Sequence, residues 1–247
     1  MKDKVVVITG GNGNVGSAAA KRFSDLGARV FIIVRKNLED AESLIQSLPN
    51  QELNHKAFLA SITDTPSIQQ VVGEIKKTAE KCDLLINAAG ITKSVSNTEI
   101  EKYTDEIIDE ILINNIRGTF AVIREFIPLL KNSKDSLVIN ITSAAGMRAS
   151  QSNIMYGASK IALELITKSL SKSLAPNTRV VAVCPGILEC PTSGASKPAG
   201  WNEKMAKEIP LGRVGTTDDV VSTIEALATT LTYVTGSSII LDGGRLA

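Results

Sequence analysis

Histidine is nearly missing from this 247-residue chain. His55 is the single one, so a histidine-rich metal site is excluded. It sits in the polar stretch "NQELNHKAF" and reads as a solvated loop histidine rather than a catalytic one. Cysteine is scarce too. Cys82, Cys184 and Cys190 form no Cys-x-x-Cys pair, and an odd count argues against a disulfide framework. Cys184, inside "VVAVCPG", reads as a small buried hydrophobe rather than a reactive thiol. There is no excess of either charge: 27 Lys and Arg against 26 Asp and Glu leave +1. No basic field is present to hold nucleic acid or an acidic membrane, so a small-molecule partner is expected. Long hydrophobic runs are absent as well. "VVVI" and "VFIIV" have strand length, far short of the roughly 18 residues of a membrane helix. The opening "MKDKVVVITGG" is too short in apolar residues for a signal-peptide core, and a cytoplasmic protein is the expectation.

What the chain does contain is alternation. With 43% hydrophobic residues it can bury a large core. Short β-branched runs, "KVVVIT", "RVFIIV", "HKAFLA", "DLLIN", "SLVINIT", "RVVAVC" and "SSIILD", predict strands. Between them, helical periodicity covers Val15 to Leu26, Leu38 to Leu48, Pro66 to Glu80, Asp105 to Leu130, Met155 to Leu174 and Asp218 to Thr229. Strand–helix alternation of this kind predicts an α/β protein with a parallel sheet, helices covering both faces. No repeat or linker interrupts it, so residues 1–247 read as one domain. The Gly-, Pro- and Ser-rich "ECPTSGASKPAGW" is too short to link domains and reads as part of a loop at about 189–208.

In such a sheet ligands bind beyond the carboxyl ends of the strands. Small or polar clusters stand there: "TGGNGNVG" after the first strand, "ASITD" after the third, "NAAG" after the fourth, "TSAAG" after the fifth and "CPGILE" after the sixth. The first of them has glycines at Gly10, Gly13 and Gly16, a strand-to-helix turn that can carry a phosphate. Tyr156 and Lys160 in "MYGASKIALELI" are four residues apart and share one helix face. A neighbouring ammonium lowers a tyrosine pKa from about 10 and makes the phenol a usable acid and base. Alone, the pair is also what an ordinary amphipathic helix carries. Ser143, at the end of "VINITS", could orient the same substrate oxygen, or simply cap a turn. Asn115, a weak helix former inside a predicted helix, needs a reason to be there, of which surface exposure is the plainest.

Taken together, "TGGNGNVG", "INAAG", "NIRG", "NITS", "YGASK", "CPG", "IPLGRVGTTDDV" and "SSIILDGG" resemble, in order and over nearly the whole chain, the short-chain dehydrogenase/reductase family. The resemblance is to its single-domain branch that includes 3-oxoacyl-carrier-protein reductases. It implies a Rossmann-like, doubly wound, seven-stranded parallel sheet and a homotetramer. It further implies that Tyr156 is the general acid/base, and that Lys160 lowers its pKa and holds the nicotinamide ribose. Ser143 binds the reacting oxygen, and Asn115 holds a water in a relay to Lys160. For the cofactor it implies contacts from Gly10, Asn12, Gly13, Asn14, Val15 and Gly16 in the loop and from Arg35, Ser61 and Ile62 after the next two strands. Asn87, Ala88 and Gly90, then Pro185, Gly186 and Leu188, complete that set with Tyr156 and Lys160.

Three positions depart from the family pattern. Asn14 replaces the middle glycine; asparagine tolerates left-handed backbone, and Gly13 beside it supplies turn freedom. Ser61 stands where Asp or Asn is usual, and Cys190 replaces a threonine. Val34 occupies the place of an acidic ribose ligand and Arg35 follows it, so NADP(H) is expected over NAD(H), with NAD(H) as the other cofactor the site admits. Around the substrate stand Lys93, Arg148, Gln151, Met155 and the loop from Glu189 to Lys207. Lys93 and Arg148 either hold an anionic tail or are ordinary solvated cations. Two function classes remain: an oxidoreductase acting on a small carbonyl compound or alcohol, and a dinucleotide-binding regulatory or structural subunit without turnover. Such subunits typically lose the Tyr or the Lys, and both are present here.

Overall fold

Side chains that alternate between the two faces of a strand decide this architecture. In the computed structural model, which describes residues 1–148, 153–189 and 200–247, the apolar runs form β1 (Val5–Thr9), β2 (Arg29–Val34), β3 (Lys56–Leu59), β4 (Leu84–Asn87), β5 (Ser136–Ile141), β6 (Thr178–Pro185) and β7 (Ser238–Leu241). All pair in parallel, in the order β3-β2-β1-β4-β5-β6-β7. Between them run α1 (Asn14–Asp25), α2 (Leu38–Ser47), α3 (Thr65–Thr78), α4 (Asp105–Leu112), α5 (Thr119–Lys131), α6 (Ile154–Ser173), α7 (Trp201–Ala206) and α8 (Thr217–Thr229). Val6, Ile8, Val30 and Ile32 pack on one face with α1, α2 and α8, through Phe23, Ile45 and Ile224. Their neighbours Val5, Val7, Phe31 and Ile33 pack on the other with α3 and α5, through Ile75 and Phe126. Because every central strand is covered twice, its sequence is continuously apolar rather than alternating.

Strand order reverses between β1 and β4, where Thr9 is in register with Asn87. A doubly wound sheet opens its ligand crevice there.

Two expectations need correction. Asp105 to Leu130 is not one helix: a wide π-helical turn, Ile113–Gly118, separates α4 from α5. The extra residue in that turn draws Asn115 inward, 1% exposed, instead of leaving it on the surface. His55 is not solvated either. It is 8% exposed, and its Nδ1 accepts the Val30 N–H at 3.0 Å. The ring proton therefore sits on Nε2, which faces Pro49 O at 2.9 Å and Ser24 Oγ at 3.2 Å. His55 thus closes the β2–β3 edge.

The β1–β4 pair is tied at its other end by Asp83, whose side chain is 4% exposed. Its oxygens accept from Val5 N at 2.9 Å and Ser133 Oγ at 2.8 Å, and pair with Lys4 and Lys81 at 3.1 Å each. Burial alone would raise the carboxyl pKa, but the hydrogen bonds from Val5, Ser133, Lys81 and Lys4 prevail and hold it below its usual range. A depressed folded-state pKa contributes stability above the unfolded value, about 3.9, and that contribution is lost as pH falls. Asp83→Ala is expected to lower the unfolding free energy by about 3 kcal/mol, since removing one partner strands buried donors. Urea midpoints at pH 7 check this. The gap between wild type and variant should narrow toward pH 3, and equal midpoints at pH 7 would contradict it.

Candidate active site

The glycine loop is shaped by contact, not by a left-handed residue at position 14. Gly10 has φ +70°, and a Cβ there would lie 2.9 Å from Ala89 Cα on the β4 side. A Cβ on Gly16 would lie 2.2 Å from Gly10 O. Glycine at both positions lets α1 begin directly against the end of β1. Gly13 precedes α1 with ordinary extended backbone, φ −76°, and no side-chain cap. Asn14 is the first helical residue, so neither it nor Gly13 supplies the turn freedom expected of them; Gly10 does. The first-turn N–H groups, Asn14, Val15 and Gly16 among them, have no acceptor within the helix and point outward, as a pyrophosphate requires. Asn12 Nδ2 donates to Asn37 O at 3.0 Å and fixes the loop to the β2–α2 turn. These features fit a dinucleotide.

Beside the loop lies a cleft lined by Gly10, Arg35, Ile62, Ala89, Gly90 and Asn114, with Ile33, Ala60 and Ile91 behind. Arg35 is exposed at the end of β2 and makes no hydrogen bond or ion pair among the described residues. Val34 before it is 3% exposed. Ser61 Oγ is 2.8 Å from Thr63 Oγ1, in the turn that starts α3. Asn87 and Ala88 are not in the cleft wall. Asn87 is buried, its Nδ2 donates to Asn140 Oδ1 at 2.9 Å, and its Oδ1 has no partner among the described residues. Ala89, Ile91 and Asn114 were not expected from sequence, although "INAAG" pointed at the neighbourhood.

Asn115, Ser143, Tyr156 and Lys160 gather on the adjoining side. Lys160 is 5% exposed, and its Nζ donates to Ile141 O at 2.9 Å. That anchor leaves the ammonium 5.6 Å from the Tyr156 ring centre, against the ring rather than on its hydroxyl. Asn115 Oδ1 accepts from Ile91 N at 2.8 Å, while its Nδ2 donates to Ile91 O and Ser159 Oγ, both at 2.9 Å. Ser159 in turn donates to Tyr156 O at 2.7 Å, so Asn115 fixes the turn of α6 that carries the tyrosine. A Cβ on Gly90 would sit 3.3 Å from both Asn115 Oδ1 and Lys160 Nζ, which places those groups around one small space. Asn153 caps α6, its Oδ1 accepting from Tyr156 N at 3.0 Å. Neither Ser159 nor Asn153 carried a signal separable from helix composition.

Electrostatics departs from the sequence expectation. Burial raises the Tyr156 pKa, opposed by the neighbouring Ser143 hydroxyl, and the net direction is up. The Lys160 ammonium, 5.6 Å from the ring centre, does not offset the effect of burial. Burial also brings Lys160 down to about 8, with Cys184 opposing slightly. Cys184 is itself 0% exposed, pushed up to about 12 by burial and its hydrogen bond to Glu164, a buried thiol as expected.

Tyr156 and Ser143 open on a cavity of about 450 Å³ whose walls include Ala145, Arg148, Gly186, Ile187, Trp201 and Met205. Pro185 ends β6, and Gly186 N donates to Leu241 O at 2.9 Å, placing the Pro-Gly turn at this wall. Leu188 lines a neighbouring groove instead. Of the residues expected near substrate, Arg148 lines the cavity, with Trp201, Lys204 and Met205 from the expected loop. Met155 does not line it, and Lys93 is engaged by Glu110 at 2.5 Å. Gln151, Cys190 and most of the segment around it lie outside the described residues. Sequence reasoning missed Asp242, Arg245 and Leu246, which reach the cavity from the far end of the chain. Among the described residues no group of metal-ligating side chains gathers, and no helix is long and apolar enough to cross a membrane.

Comparison with known proteins gives a consistent picture. The family model described as enoyl-(acyl carrier protein) reductase matches residues 11–245. A 3-oxoacyl-acyl-carrier-protein reductase of Thermotoga maritima is 31% identical over 99% of this chain and 98% of its own. A 3alpha-hydroxysteroid dehydrogenase of Mediterraneibacter gnavus is 30% identical over 98% and 97%. Among solved structures, a short-chain dehydrogenase/reductase (glucose/ribitol dehydrogenase) from Brucella melitensis superposes with TM-score 0.91 at 27% identity, covering 99% of this chain and 97% of that one.

Proposed function

The chain belongs to the short-chain dehydrogenase/reductase family, and on that premise we propose that it moves hydride between NADP(H) and the carbonyl or secondary alcohol of a small molecule, with Tyr156 handling the proton. That it is an NAD(P)-dependent oxidoreductase follows from the family and its named relatives; the assignments below are our reading. The observation that carries it is that Tyr156 and Ser143 stand together on the wall of the 450 Å³ cavity, with the Lys160 ammonium against the tyrosine ring.

A bound nicotinamide supplies or accepts the hydride. The chain's own residues bind, orient and protonate. Gly10 to Gly16 and the first turn of α1 would hold the pyrophosphate, with Asn12 bracing the loop. Arg35 would take the phosphate at the adenosine end, with Ser61 and Ile62 near the adenine. Gly90, in the cleft wall, would bound the ribose side, and Gly186, in the cavity wall, the carboxamide side. Ser143 holds the substrate oxygen by hydrogen bond. Tyr156, neutral because burial keeps its pKa up, donates its proton to that oxygen during reduction. The Lys160 charge then stabilises the phenolate left behind. Asn115 and Lys160, facing one space beside Gly90, fit the two ends of a proton path.

A single Rossmann-like unit over residues 1–247 and a cytoplasmic location belong to the same reading. The first is supported by one sheet running through the described residues, the second by the free thiols Cys82 and Cys184. We also read the assembly as a homotetramer, since α5 and α6 expose Phe120, Ile161 and Leu165, and the edge strand β7 exposes Ile240. Light scattering is expected to give four times the 26.2 kDa chain mass, and a monomer would contradict it.

Activity is tested by assaying the protein with NADPH and NADH against ketones, 3-oxoacyl thioesters and keto-sugars. kcat/KM is expected to be higher with NADPH, because Arg35 is unpaired among the described residues and no carboxylate stands at position 34. Equal values, or higher ones with NADH, would overturn the preference. Tyr156→Phe keeps the ring and removes the proton, so kcat should fall by about 10²–10⁴ while cofactor affinity holds. An equally fast variant would refute the role of Tyr156.

A further inference from the structure

Rested on that reading, we infer that the substrate carries an oxyanion, a carboxylate or phosphate ester, in addition to its reacting carbonyl or alcohol. The cavity that Tyr156 and Ser143 enter is also lined by three cations, Arg148, Lys204 and Arg245, and by one acid, Asp242. On a chain of net charge +1 this is a local concentration, not a general property of the surface.

The acid does not cancel it. Asp242 is committed to backbone, its two oxygens accepting from Gly244 N at 2.9 Å and Leu246 N at 2.7 Å. That pair of bonds folds the chain end over the cavity. Arg245 is engaged by Glu208 at 2.7 Å, outside the lining. Glu208 is held below its usual range by its hydrogen bond and charge interaction with Arg245, and further by Arg148 and Lys204, so all three positive charges act on one region.

Two cations remain available. Arg148 Nη1 donates to Arg245 O at 3.1 Å, a neutral carbonyl that orients the guanidinium without neutralising it. Neither Arg148 nor Lys204 is in an ion pair among the described residues. A guanidinium oriented by one carbonyl beside an ammonium in no ion pair among the described residues, next to apolar Ile187 and Met205, suits a short carbon chain ending in an anion. The dinucleotide phosphates are not the occupant, because the glycine loop and Arg35 line a different cleft.

The test compares straight-chain keto acids, ketoalkyl phosphates and the matching neutral methyl esters as substrates of wild type and of the Arg148→Gln/Lys204→Gln double variant. Both positions are exposed, so folding is not at stake. In wild type an anionic probe is expected to exceed its ester in kcat/KM by about tenfold or more, the worth of a charged hydrogen bond. In the double variant that ratio should fall toward one, through KM. Whichever of acid or phosphate gives the larger ratio identifies the oxyanion. Esters turned over as well as both anions would overturn the anion site and leave the oxidoreductase reading standing. If no probe is turned over, calorimetry decides. Keto-acid binding that beats the ester and is lost in the variant upholds the site while the proposed activity fails; no difference overturns the site.

Discussion

The parallel pairing of β1 with β4, at the point where strand order reverses, is the constraint on which the rest of this molecule depends. It brings Gly10 at the end of one strand against Ala89 beyond the other, close enough that a Cβ on Gly10 would lie 2.9 Å from Ala89 Cα. From that contact the two halves of the site diverge. On one side α1 starts against Gly10 O and presents its unpaired amides. On the other, Gly90 faces Asn115 and Lys160 across 3.3 Å measured from its notional Cβ. Asp83 and Val5 hold the same strand pair at its opposite end, so the stability of the sheet and the geometry of the site rest on one ladder.

Function in this arrangement comes from burial used against charge. Lys160 is enclosed by the helix that carries it and the end of β5, with a single backbone carbonyl as its acceptor, and its pKa drops accordingly. Tyr156 is pushed the other way by the same loss of solvent. Burial thus keeps Tyr156 protonated, while Lys160 still carries its charge below about 8, the combination that the proposed proton donation uses. Asn115 contributes by position: through Ser159 it holds the turn of α6 on which the tyrosine sits.

Much of this was legible in the residues. All seven strands lie where the apolar runs stand, most plainly in the central ones, whose cover on both faces keeps them apolar nearly throughout. Tyr156 and Lys160 are neighbours because a helix places residues four apart together, and Ser143 is at hand because strands end where the crevice opens. What was not legible depends on tertiary partners. The π-helical turn at Ile113–Gly118 has no period of its own in sequence. His55 is polar by neighbourhood yet buried by Ser24, Pro49 and Val30. The sign of the Tyr156 shift is set by enclosure, which spacing to a lysine does not report. Asp242, Arg245 and Leu246 are far along the chain from Tyr156 and meet it only through the β6–β7 edge of the sheet.

On the proposed reading a charged, buried Lys160 supports proton donation by Tyr156, and the pH dependence of kcat for carbonyl reduction tests this most directly. Lys160 is cationic below about 8 and loses its charge as pH rises through that value, while Tyr156 remains protonated. The rate is therefore expected to be level on the acid side and to fall as pH rises through about 8, with that descending limb absent from the slow Lys160→Met variant. A wild-type rate that stays level well past pH 8, or a Lys160→Met variant that keeps the same limb, would contradict it.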